Sequence, residues 1–192
     1  MDMEGKKILG IDEVGRGCIA GPMFIAACIF HTQPPFYVLD MIKDSKKLSR
    51  NQRHEAFKAF AKYASWNYQS VEAEMIDEIG LSECLKISIN RLLQSFEDEY
   101  DIAIYDGKWD PIKKPNFMTM VKADDKIKEV SAASIIAKYF RDNLMIEHYD
   151  QLYPEYGFKN HVGYGTKAHI EAIKKYGYTP IHRKTFKIKE LE

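Results

Sequence analysis

The sequence is short of most features that mark a specialised chain. It has no net charge: 28 basic and 28 acidic side chains balance among 192 residues. That excludes a protein held to a polyanion by bulk charge alone. Cysteine is scarce. Cys18, Cys28 and Cys84 are an odd number with no CxxC spacing, so neither a disulfide framework nor a zinc site is indicated, and a reducing, cytoplasmic setting is expected. Long hydrophobic runs are missing too. The longest, Cys18 to Phe30, is broken by Gly21-Pro22, and the start MDMEGKK has neither an apolar h-region nor a cleavage pattern. No signal peptide and no membrane association are expected. Internal repeats, low-complexity segments and linkers are absent. What remains is 45% apolar and 12% aromatic residues, a composition that rules out disorder. At roughly 100–200 residues per domain, residues 1–192 are expected to form a single domain.

The balanced charge is unevenly arranged. Residues 72–101 carry nine acids against Lys86 and Arg91, whereas residues 159–189 carry eight lysines and arginines against Glu171, with His161, His169 and His182 among them. A basic surface beside an acidic one suits a polyanion docked on one side, and equally two solvated faces with no partner.

Lys6 to Val14 (KKILGIDEV) reads as a strand buried on both faces. Gly15-Arg16-Gly17 breaks it, and residues 20–30 follow as a second strand, predicting an antiparallel hairpin. Ser49 and Gln52 form a capping box that opens a helix through Phe60. After the β-like WNYQSV, the spacing of Leu85, Ile89, Leu92 and Phe96 predicts another helix. Ile102–Tyr105 and Phe117–Val121 read as strands, and a long helix begins near Val130 with Ala133, Ile136, Phe140 and Leu144 on one face. A last helix is predicted from about Thr166 to Lys175. This order points to a mixed α/β sheet with a helical C-terminal extension over about residues 150–192.

Three of these strands are followed by acids: Asp12-Glu13, Asp106, and Asp124 with Asp125. One acid at a strand end is ordinarily a turn residue or helix cap. Three at once, on neighbouring strands, would repel one another unless protons or cations intervene. Hard oxygen donors without histidine or cysteine select Mg²⁺ or Mn²⁺, and four carboxylates suffice for two ions about 3.5–4 Å apart, the arrangement that clamps a phosphodiester for attack by water. A phosphoryl-transfer enzyme or nuclease is the class indicated. Arg16 in the GRG loop suits a phosphate contact or an exposed hairpin turn. Asp44 to Leu48 (DSKKL) supplies cations to a polyanion or forms a polar loop. Tyr164, between Gly163 and Gly165, suits stacking on a base or sugar, or packing of a small appendage.

Taken together, GIDEVGRG at 10–17, DSKKLS at 44–49, YDG at 105–107, KADDKIKEVSAASIIAK at 122–138, GYGTKAH at 163–169 and HRKTF at 182–186 resemble the signature segments of the type 2 ribonucleases H, specifically ribonuclease HII. The resemblance runs from about residue 6 to residue 186. It implies an RNase H-like fold, a five-stranded mixed sheet flanked by helices, with the C-terminal part completing a substrate cleft. It implies that Asp12, Glu13, Asp106 and Asp124 are the catalytic, metal-binding acids for two Mn²⁺ or Mg²⁺ ions, with Asp125 at a variable position. It implies that Gly15, Arg16 and Gly17 recognise a 2′-hydroxyl, that Tyr164 stacks on the neighbouring sugar, and that Lys46 contacts a phosphate.

The activity implied is endonucleolytic hydrolysis of the RNA strand of RNA–DNA hybrids and incision 5′ of single ribonucleotides in duplex DNA, leaving 3′-hydroxyl and 5′-phosphate ends; a monomer is expected. Two rivals differ in kind. Ribonuclease HIII usually has an additional N-terminal domain and a different loop in place of GRG; with about eleven residues before Asp12, that domain is not expected. A catalytically idle nucleic-acid-binding module of the same fold would tolerate loss of a carboxylate, and here all four are present.

Overall fold

The computed structural model describes residues 3–42 and 47–191. Its centre is a five-stranded sheet of β1 (Ile8–Val14), β2 (Met23–Phe30), β3 (Ala64–Val71), β4 (Ile102–Asp106) and β5 (Phe117–Met120), in the order β3-β2-β1-β4-β5. β1 and β2 form the antiparallel hairpin, with Asp12 opposite Ala26, and β3 extends it antiparallel to β2. β4 runs parallel to β1, and β5 parallel to β4. The carboxyl ends of β1, β4 and β5 therefore lie side by side. The second strand starts at Met23, later than residue 20, because Gly21 takes a positive φ of 83° and Pro22 has no N–H for a ladder.

β2 shows why its sequence reads as continuously apolar. Met23, Ile25, Ala27 and Ile29 face one core, and Phe24, Ala26 and Cys28 face another. The first core packs against α3 (Ala73–Ile79) and α4 (Leu81–Ser95), through Ile76, Leu85, Ile89 and Leu92. The second lies under α1 (Phe36–Ile42), α2 (Arg50–Phe60) and α5 (Lys128–Leu144). Each such side chain fully removed from water contributes about 1.5–3 kcal/mol. The capping box of α2 is present: the Ser49 side chain accepts from the Gln52 N–H and the Gln52 side chain from the Ser49 N–H. α1 and α3 are absent from the sequence-based reading, because seven residues are too few for a helical period to stand out.

α5 lies directly on β1. A Cβ at Gly10 would sit 2.1 Å from the backbone carbon of Glu129, so a residue without a side chain is what lets the helix start approach the strand. Beyond Leu144 the helix continues through a π-helical turn, Met145–Tyr149, into α6 (Asp150–Leu152). α7 (Phe158–His161) and α8 (Lys167–Tyr176) follow, the latter capped by the Thr166 side chain. They form a third cluster in which Tyr156, Phe158, Ile170, Ile173 and Ile181 pack against Ile19 and Ala20 of the β1–β2 loop. Among the described residues, no helix is long and apolar enough to cross a membrane.

Candidate active site

The acids do not all stand at strand ends. Asp12 and Glu13 lie inside β1, which runs on to Val14, and Asp124 lies in a 3-10 turn, Ala123–Asp125, between β5 and α5. Asp106 is the last residue of β4. Alternation along β1 sends Asp12 and Glu13 to opposite faces. Asp12 falls beside Asp106 and the Ser134 hydroxyl of α5, and Glu13 turns toward Tyr105 and Arg16.

Asp12, Asp106 and Asp124 converge: one carboxylate oxygen from each lies within 4.8 Å of the others, with Asp12 and Asp124 buried. Glu13 is outside this set. Its Oε1 is 3.6 Å from Arg16 Nη1. Asp125 is exposed. Lys46 lies outside the described residues.

Burial drives the Asp12 carboxyl well above the usual carboxylate range, and the charges of Glu13 and Asp106 push the same way. The Ser134 hydroxyl and the Glu13 backbone N–H, which donates to Asp12 Oδ1 at 2.8 Å, oppose them. Burial also raises Glu13, against the Tyr105 hydroxyl and Arg16. Carboxylates this close in a buried place favour a positive charge between them. The donor set is all oxygen, which fits Mg²⁺ or Mn²⁺ and not a nitrogen- or sulfur-seeking ion. No other group of three or more His, Cys, Asp or Glu among the described residues has this geometry.

The GRG loop leaves β1 beside the acids. Gly15 has φ +83°, and a Cβ there would fall 2.2 Å from Arg141 Nε, whereas a Cβ at Gly17 would meet nothing within 4 Å. Gly15 is thus a packing requirement, and Gly17 leaves backbone open to a ligand. Tyr164 is 41% exposed, with its ring centroid 6.0 Å from the Arg141 guanidinium. Its segment is tied to the loop after GRG, since the N–H groups of Ile19 and Ala20 both donate to the Gly163 carbonyl at 3.0 and 3.2 Å.

Two arginines that are fully buried hold these loops together. Arg141 donates to the carbonyls of Pro22 (2.8 Å), Val162 (2.8 Å) and Ala20 (3.2 Å). Arg183 donates to Gly21 O (2.9 Å) and Arg16 O (2.9 Å); burial brings it down to about 10, so it stays charged at neutral pH. The basic C-terminal surface is correspondingly smaller than its sequence suggests. Arg183, His161, His169 and His182 are buried, and the lysines of residues 159–189 supply the exposed charge.

The histidines form a chain with fixed tautomers. His182 Nδ1 accepts from the Thr179 N–H at 2.9 Å, which places its proton on Nε2, 3.0 Å from His169 Nε2. His169 Nδ1 then donates to the Tyr164 carbonyl at 2.9 Å. His161 Nδ1 accepts from the Gly163 N–H at 3.2 Å, and its ring stacks on His169. Sequence reading assigned these residues to surface charge. A signal for Arg141 did exist: it stands four residues after Ala137 on the apolar stripe of α5, where a cation needs buried acceptors.

Comparison with known proteins agrees with this geometry. The family model described as Ribonuclease HII matches residues 9–189. A ribonuclease HII of Campylobacter concisus is 45% identical over 183 residues, covering 95% of this chain and 94% of its own. Among solved structures, ribonuclease H2 of Pyrococcus horikoshii superposes with a TM-score of 0.78 at 30% identity, covering 94% of this chain and 93% of the other. The Archaeoglobus fulgidus RNase HII, solved in complex with PCNA, gives 0.79 at 26% identity, with 95% and 96% covered. The chain belongs to the ribonuclease HII family, whose members are endoribonucleases H acting on nucleic acid with a divalent metal.

Proposed function

We propose that this protein hydrolyses the RNA strand of RNA–DNA hybrids and incises duplex DNA on the 5′ side of a single embedded ribonucleotide, leaving 3′-hydroxyl and 5′-phosphate ends. The observation that carries the reading is the convergence of Asp12, Asp106 and Asp124 within 4.8 Å next to a glycine-opened loop, whose packing partner Arg141 also faces the exposed ring of Tyr164.

Asp12, Asp106 and Asp124 would hold two Mg²⁺ or Mn²⁺ ions, with Glu13 contributing from the same stretch of β1. When bound, such ions supply positive charge to the attacking and leaving oxygens of the phosphodiester. The chain does the positioning. The Glu13 N–H keeps Asp12 Oδ1 oriented, and Tyr105 and Arg16 restrain the Glu13 carboxylate. Backbone groups of Gly15, Arg16 and Gly17 read the 2′-hydroxyl, the group that separates RNA from DNA at one nucleotide. Tyr164 stacks on the adjoining sugar, and Lys46 contacts a phosphate. Residues 150–192 complete the cleft by carrying Tyr164 on the same domain.

The test is cleavage of a labelled DNA duplex with one ribonucleotide, beside an all-DNA duplex and a long hybrid, with Mg²⁺, Mn²⁺ or chelator. Metal-dependent incision 5′ of the ribonucleotide is expected, with the all-DNA duplex intact. Cleavage of the long hybrid alone would overturn the single-ribonucleotide part. Tyr164→Ala is expected to lose more activity on the single ribonucleotide than on the long hybrid, because stacking matters most where one sugar identifies the site. Equal losses would remove that role.

A further inference from the structure

On the β5 side of the carboxylates lies a cleft of about 370 Å³, lined among others by Arg16, Asp106, Lys108, Trp109, Val121 and Lys122. None of the roles above uses Lys108, Trp109 or Lys122. The lining holds three cations and an indole against one acid, and that acid, Asp106, belongs to the carboxylate cluster. The cleft is therefore continuous with the place where the phosphodiester is cut.

Trp109 is 46% exposed and Val121 48%. Exposure alone would be ordinary, but here the indole shares one concave surface with Asp106 of the carboxylate cluster and with three cations. The loop that presents the indole is well fixed. Asp110 Oδ1 accepts from the N–H groups of Ile112 (2.8 Å) and Lys113 (2.9 Å), the Gly107 N–H donates to Met120 O at 3.2 Å, and the Tyr105 ring packs against Gly107. Lys122, also in the lining, takes a left-handed backbone conformation with φ +56° immediately before the turn that carries Asp124. A lysine held there sits in an uncommon conformation that local sequence does not favour.

We propose that this cleft is a nucleotide subsite of the substrate, in which Trp109 stacks on a base or sugar next to the scissile nucleotide while Lys108 and Lys122 hold flanking phosphates. The inference rests on the hybrid-cleaving function proposed above. A carboxylate cluster repels a polyanion, so cations must flank it, and the walls of this cleft supply them. An aromatic face accepts any base, which matches an enzyme with no sequence to read.

Trp66 and Trp109 are the only tryptophans, and Trp66 is packed among Phe57 and Phe140. In the Trp66→Phe protein, emission therefore reports Trp109 alone. A short RNA–DNA hybrid with a terminal fluorophore is titrated in chelator, anisotropy and indole emission being read together. Quenching of Trp109 with the same midpoint as the anisotropy is expected. Trp109→Ala should bind roughly five- to a hundredfold more weakly, and Trp109→Phe should recover most of the loss. Full-affinity binding with unchanged Trp109 emission would overturn the subsite while leaving the hybrid-cleaving function standing. If the unaltered protein neither binds nor cleaves the hybrid, the function fails and the subsite with it.

Discussion

Asp12 is 8% exposed, and its carboxylate shares 4.8 Å with those of Asp106 and Asp124. Such a cluster is destabilising without a counter-charge and stabilising once a divalent ion is bound, so metal affinity and folding stability are linked. Wild-type protein is expected to gain about 2.7 kcal/mol at a hundredfold excess of Mg²⁺ or Mn²⁺ over its dissociation constant, a rise in Tm of roughly 5–10 °C for a chain of this size. Asp124→Asn removes a charge at constant volume. It should abolish cleavage, leave hybrid binding and the metal-free fold intact, and largely remove the metal-dependent rise. Differential scanning calorimetry with metal and with chelator checks this. A variant that cleaves normally and keeps the full shift would take Asp124 out of the metal set.

Among the elements, the one that organises the site is α5. Gly10 lets its start lie on β1, which brings Ser134 to Asp12, and two turns later Arg141 gathers the carbonyls of Ala20, Pro22 and Val162. The histidine chain extends the same hold to the Gly163-Tyr164 backbone and works only with neutral rings, because His182 Nε2–H needs a lone pair on His169. Burial lowers both His169 and His182 to about 4, against an ordinary value of 6.5. Above pH 6.5 both the native and unfolded states leave these rings neutral, and they make stability no more pH-dependent. As pH falls from 6.5 to about 4, the unfolded chain takes up protons that the native state refuses. Stability is then expected to drop by about 1.4 kcal/mol per pH unit for each histidine, levelling off below about 4. Urea unfolding between about pH 7 and pH 5 measures this before most carboxylates titrate. The raised Asp12 and Glu13 carboxyls contribute with the opposite sign in this window, so the ring protons are followed by NMR as well. Rings of His169 and His182 that titrate near 6.5 would show that they do not stay neutral in the folded protein.

Over the whole molecule, zero net charge conceals a division of labour. The acids of residues 72–101 ride on or beside α3 and α4, which cover one face of the sheet, while Arg16, Lys108 and Lys122 line the cleft at the carboxyl ends of β1 and β4. Binding of a hybrid is therefore expected to weaken steeply with salt although the protein is neutral overall, since the slope counts local phosphate contacts and not net charge. Lys108→Ala and Lys122→Ala should each reduce the slope of log K against log salt by about one. Lys86→Ala, on α4, should leave it unchanged. Equal slopes in all three variants would place the nucleic acid elsewhere.

What the sequence alone determined is whatever depends on near neighbours. The two-faced apolar pattern of β2, the Ser49–Gln52 capping box and the stripe of α5 each lie within a few residues, and the signature segments sufficed to name the family. What only tertiary structure decided is what depends on long-range approach. Asp12, Asp106 and Asp124 are 94 and 18 residues apart in succession, and only the β1-β4-β5 order brings them together. The turn away from this set by Glu13 follows from strand alternation once Asp12 is fixed inside β1. Arg183 and the three histidines read as surface charge because their residue types usually are. Burial of Arg183 is tolerated because carbonyls of Arg16 and Gly21, more than a hundred residues away, accept from it. Burial of the histidines is tolerated because nearby backbone groups and one another satisfy their rings once the C-terminal turns have folded. Residue type alone records neither kind of partner, because a buried polar group is stable only where the folded chain has already supplied its hydrogen-bonding partner.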